Sequence, residues 1–97
     1  MLNRELVSSK NFHAENGNPF KVEYFITKEH GRLNDLIPGY GILIEKNENG
    51  IIETYEASNC FHEYAPAYSM AEKLSRYGVT PVAAEETIEA ILEYINR

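Results

Sequence analysis

Up to about Cys60 the apolar residues of this chain recur mostly at every second position, and beyond it they recur every third or fourth. A period of two belongs to a strand with one buried face; a period near 3.6 belongs to a helix. This change of rhythm constrains the fold more than any other feature. A sheet-forming segment must be followed by helices that share its core. The same point divides the charge. Residues 1–50 carry six Lys/Arg and seven Asp/Glu, whereas residues 51–97 carry three Lys/Arg and eight Asp/Glu.

Within the first segment, two Asn-Gly pairs separate alternating runs. Residues 5–14 lead into Glu15-Asn16-Gly17-Asn18, and residues 19–28 follow, with Phe20, Val22, Tyr24 and Ile26 on one face. Tyr40 to Lys46 leads into Asn47-Glu48-Asn49-Gly50, and Ile51 to Ala57 returns. Asn-Gly supplies the two positive-φ positions of a type I′ turn at little steric cost, so each pair predicts a β-hairpin. Between the hairpins, Glu29 to Gly39 mixes breakers with Leu33, Leu36 and Ile37 and is expected to form a helical turn over a sheet edge.

From Glu63 the spacing predicts a helix. Ala67, Met70, Ala71, Leu74 and Tyr77 share a face, Pro66 fits the first turn, and Gly78 fits the C-terminal cap. Val79-Thr80-Pro81-Val82 reads as a tight connector. A second helix is expected from about Ala83 to Asn96, with Ala84, Ile88, Ile91, Leu92 and Ile95 on its apolar stripe. The expected architecture is α+β in the order ββββαα. A four-stranded antiparallel sheet of two hairpins carries two C-terminal helices on one face. Strand order beyond the hairpins stays open.

A chain of 97 residues, 43% hydrophobic and 25% charged, reads as a single globular domain over residues 1–97. The net charge of −6 disfavours direct nucleic-acid binding, because phosphate contact needs Lys and Arg. The single cysteine, Cys60, excludes an internal disulfide. There is no signal-like run at the N-terminus and no stretch of about 18 apolar residues, so the expectation is a cytoplasmic protein with no membrane segment.

Three groups of residues invite a functional reading. Glu85, Glu89 and Glu93 recur at every fourth position on the second helix, with Glu86 beside them. Like charges at that spacing cost a helix about 0.2–0.5 kcal/mol per pair. Near the start of the helix, its dipole is expected to offset Glu85 and Glu86 but not Glu93. The row is either a solvated face or a docking strip for a partner protein with a basic surface. Phe25, Leu43 and Ile52 are expected on the sheet face away from the helices. There they would form an apolar interface for a partner or for self-association, unless register or bulges turn them inward. Cys60-Phe61-His62 places a thiol and an imidazole two residues apart. That pair would serve an enzyme nucleophile or a zinc site, but zinc takes three or four ligands, and His13 and His30 lie in distant segments. No cofactor is expected, and Gly39-Tyr40-Gly41 leads into a strand, the wrong context for phosphate binding.

Four segments carry a family resemblance: Arg4-Glu5-Leu6-Val7-Ser8-Ser9-Lys10, Phe20-Lys21-Val22-Glu23-Tyr24-Phe25-Ile26-Thr27, Tyr40-Gly41-Ile42 and Gly78-Val79-Thr80-Pro81-Val82. In these the chain resembles a family of short uncharacterised proteins from anaerobic Gram-positive bacteria. The resemblance covers most of the chain and its motifs are structural, so it implies a bacterial cytosolic setting and a free-standing domain, but no active-site residues. The primary expectation is a non-enzymatic interaction module, possible also as a homodimer. A second is an acidic inhibitor of the phage anti-defence or DNA-mimic kind, binding the basic groove of a nucleic-acid-binding enzyme such as a CRISPR nuclease. A third is the Cys60/His62 enzyme or metal site.

Overall fold

A computed structural model describes residues 3–29 and 39–95, apart from the side chains of Glu29, Asn59 and Ile95. The helical turn expected within Glu29 to Gly39 lies outside the described residues. The elements, in chain order, are β1 (Asn3–His13), β2 (Pro19–Glu29), β3 (Gly39–Glu48), β4 (Ile51–Phe61), α1 (Tyr64–Arg76) and α2 (Pro81–Ile95). This is the expected α+β order. The strands form an antiparallel meander in which spatial order follows chain order, β1-β2-β3-β4.

The two hairpin turns differ. At the second, Asn49 and Gly50 have φ of 54° and 82°, as a type I′ turn requires, and Asn47 Oδ1 accepts the Gly50 N–H at 3.1 Å. At the first, only Gly17 takes positive φ, at 86°. The Ala14 carbonyl accepts the Gly17 N–H, and the Asn18 carbonyl accepts the Ala14 N–H, both at 2.8 Å. The expected two-residue turn is therefore a three-residue loop. Asn16 Oδ1 accepts the Asn18 N–H at 3.0 Å, which holds the asparagine side chain forward and leaves the left-handed position to glycine alone.

Register puts Val22, Tyr24 and Ile26 of β2 opposite Lys46, Ile44 and Ile42 of β3. Paired residues share a face. Val22, Tyr24, Ile42 and Ile44 are fully buried beneath the helices. α1 lays Ala67, Met70, Ala71 and Leu74 on this floor, and α2 adds Ala84 and Ile88. α1 packs over β1, β2 and β3, and α2 over β3 and β4. Two polar contacts fasten α1 and its exit to the sheet. The Tyr24 hydroxyl donates to the Val79 carbonyl at 2.9 Å, and the Ser75 hydroxyl donates to Ser8 Oγ at 2.6 Å.

The apolar stripe of α1 stops at Leu74. Tyr77, expected to face the core, is 66% exposed. The helix ends at Arg76, and Gly78 takes φ of 64°. The Gly78 N–H bonds the Ser75 carbonyl and the Val79 N–H bonds the Leu74 carbonyl, each at 3.0 Å, the double closure of a Schellman cap. Tyr77 is the last residue with helical dihedrals, and its N–H bonds the Lys73 carbonyl at 3.0 Å, so its side chain ends the stripe outside the core. Pro81 does not end the connector as expected but opens α2, where its missing N–H costs nothing.

Gly41 marks a close approach. A Cβ there would lie 2.3 Å from the Ala57 carbonyl oxygen and 2.7 Å from Thr27 Oγ1. Beside it the β3–β4 register shifts, with Tyr40 opposite Phe61 but Ile42 opposite Ala57. The extra residues of β4 bulge there, and Cys60 is among them.

Candidate functional site

The acidic row of α2 runs beside the edge strand β4. Burial, then Glu85, Cys60 and Glu89, push the Tyr55 phenol above its ordinary value, which places both carboxylates near that β4 side chain. Glu53 and Glu56 of β4 are exposed, as are Glu85, Glu86, Glu89 and Glu93. Because α2 begins at Pro81, its first turn contains no acidic residue. Glu85 and Glu86 therefore sit beyond the turn in which the helix dipole acts, and the expected offset is lost.

On the outer face of the sheet, Leu6, Phe25, Leu43 and Glu56 lie in one row across the four strands. Phe25 faces outward but is only 7% exposed. The Arg4 guanidinium carbon stands 4.6 Å from its ring centroid, and the same guanidinium pairs with Glu45 Oε1 at 3.1 Å. Leu43 is half-buried, and Ile52, 59% exposed, sits opposite Asn47 nearer the hairpin tip. Phe25, Leu43 and Ile52 thus form no continuous bare patch, a correction to the sequence reading with Arg4 as its cause.

β4 ends at Phe61, so strand alternation does not bring Cys60 and His62 to one side. Both residues are exposed. The Cys60 thiol contacts the Ser58 carbonyl at 3.8 Å, and desolvation pushes its pKa up. An activated thiol needs the opposite shift. Among the described residues, no group of three or more His, Cys, Asp or Glu is placed to hold a metal ion.

Two concave regions were not anticipated. The first, of about 330 Å³, lies where Glu5, Ile26 and Lys28 of the sheet meet Tyr40 and Tyr64. The Tyr64 hydroxyl donates to Glu5 Oε2, and that hydrogen bond raises the tyrosine pKa. Tyr40 meets the Tyr64 ring edge-on, with centroids 5.9 Å apart. These groups satisfy one another.

The second region is a groove between the helices, which touch each other less than they touch the sheet. Two adjoining cavities of about 320 Å³ and 310 Å³ share Lys73 and Ile91 as walls. Tyr77, Thr87, Ala90 and Tyr94 line one, and Phe61, Met70 and Leu92 line the other. Tyr94 is 78% exposed. The sequence did carry a signal for this groove, because its lining residues Thr87, Ala90 and Tyr94 recur at spacings of three and four residues, continued one step back by Ala83. Small and hydroxyl-bearing residues weigh little in an apolar count, so the stronger stripe through Ile88 hid it.

The family model that matches this fold spans residues 3–94, nearly the whole chain. The chain belongs to DUF6514, a family of unknown function. No curated protein and no solved structure matches it. Among the described residues of this DUF6514 protein, no helix is long and apolar enough to cross a membrane.

Proposed function

We propose that this DUF6514 protein is a non-enzymatic interaction module in a bacterial cytoplasm and that the groove between α1 and α2 is its binding face. The observation that carries this reading is the groove itself: an open, largely apolar trough walled by Ile91, Met70 and Leu92, with Tyr77 and Tyr94 exposed at its mouth. Tyrosines that offer an apolar ring and a polar tip are characteristic of interface centres. Helical partners dock in troughs of this kind. Affinity capture with tagged protein tests it. A Tyr94→Glu variant should lose the protein that the parent captures, while circular dichroism stays unchanged. Capture unaffected by Tyr94→Glu overturns the assignment of the groove.

A second reading rests on a separate observation: α2 packs against the edge strand β4 and leaves Glu85, Glu86, Glu89 and Glu93 exposed along it. It makes the protein an acidic inhibitor that occupies the basic groove of a nucleic-acid-binding enzyme. The double substitution Glu85→Lys, Glu89→Lys, at exposed positions that do not line the groove, separates the two, since it should abolish binding only if the acidic strip is the contact.

A further inference from the structure

We propose that the occupant of the α1–α2 groove is a second copy of this chain, docked about a two-fold axis with α2 against α2. The inference rests on the groove being a protein-binding face and names what it binds. Its first support is spacing. Ala83, Thr87, Ala90 and Tyr94 follow the 4-3-4 pattern of a coiled-coil seam, on a side of α2 that its core residues Ala84 and Ile88 do not use. Ala83 and Ala90 are exposed and small, which lets a second helix approach closely. The Thr87 hydroxyl already donates to the Ala83 carbonyl at 2.7 Å, so its hydrogen-bonding need is met within the helix and a dry partner costs it nothing.

The second support is charge. Lys73 stands in the wall shared by both cavities, and among the described residues no carboxylate lies within ion-pair distance of it. Its neighbours Glu72 and Arg76 pair with each other at 2.5 Å. On α2, Glu86 and Glu93 each follow a seam alanine by three residues, so the acidic shoulder repeats at the same seven-residue interval as the seam. One face thus carries an unmatched ammonium and two carboxylates on the shoulder of the same seam. A two-fold axis brings such a face against itself, and each Lys73 then meets Glu86 or Glu93 of the other copy. A partner of unrelated chemistry would not need both signs on one face.

Sedimentation velocity on the full chain tests this. The parent protein should sediment with about twice the 11.1 kDa mass of one chain at high micromolar concentration. Ala90→Glu, at an exposed position outside the core cluster, should return it to a single-chain mass with an unchanged circular dichroism spectrum. Lys73→Glu should weaken the dimer at least tenfold, and adding Glu86→Lys and Glu93→Lys to it should restore association. A single-chain mass for the parent protein overturns the inference, while leaving the groove open to another partner that the Tyr94→Glu capture still detects. A dimer that survives Ala90→Glu overturns it as well, because self-association would then use a different face.

Discussion

The phenol of Tyr24 on β2 donates its proton to the carbonyl oxygen of Val79, 55 residues later, at 2.9 Å. The tyrosine is fully buried, and the carbonyl belongs to the segment that joins the two helices. One hydrogen bond thus ties the second strand to the connector between the helices. In Tyr24→Phe the Val79 carbonyl loses its partner in a dry site. The cost should be about 1–3 kcal/mol, read as a lower denaturation midpoint in urea with an unchanged slope. A variant as stable as the parent would mean that water reaches the carbonyl.

The same residue predicts an alkaline limb. Burial pushes the Tyr24 pKa from 10.0 up to about 12. The unfolded chain begins to ionise this phenol near pH 10, while the folded chain keeps it neutral to about pH 12. Stability from this group is therefore complete below pH 10 and is lost as pH rises through that window. Two pH units correspond to about 3 kcal/mol. Urea titrations from pH 9 to 12 should show the fall, and Tyr24→Phe should flatten it. Equal slopes in both proteins would assign the limb to other groups.

Gly41→Ala should be the most disruptive of the glycine substitutions on the strands and turns. Its Cβ would sit 2.3 Å from the Ala57 carbonyl oxygen, a backbone atom that cannot rotate away. Overpacking of this kind costs about 1–3 kcal/mol or more. Gly50→Ala meets open space and pays only for its φ of 82°, about 1–2 kcal/mol. Thermal melts of the two variants decide the order, and a milder effect at Gly41 would show that β3 and β4 can part there.

Cys60 is exposed, yet its thiol is pushed above the ordinary value by desolvation. Iodoacetamide should therefore modify it more slowly at neutral pH than it modifies free cysteine. The midpoint of the rate against pH should lie above that of the free amino acid. A midpoint below that of the free thiol would restore the idea of an activated sulfur beside His62.

The parts of the fold that could be read in the chain are those set by neighbours in sequence. The alternation of Phe20 to Ile26, the Asn49-Gly50 turn and the Gly78 cap each follow from a few adjacent residues, and the structure has all three. What was misread depends on contacts across distance or on a competing side chain. Asn16 uses its own amide to reshape the first turn. Arg4 reaches across the sheet to cover Phe25, which no strand pattern announces. Tyr77 keeps the helical spacing as the C-cap residue of α1, but it lines the groove between the helices instead of the core. The helix groove was missed for another reason: its walls belong to two elements, and its seam is built from alanine and threonine, whose spacing carries little hydrophobic weight.

The meander has a consequence for how the chain is made. Every strand pairs with the one that precedes it, so each new ribbon can zip onto the last as it leaves the ribosome, with only small loops to close. Both helices come afterwards. Until about residue 76 has emerged, the nascent sheet holds Val22, Ile42 and Ile44 uncovered beside two open edges. That is the interval in which a stalled or truncated product would be most prone to clump, and a chaperone would have most to shield.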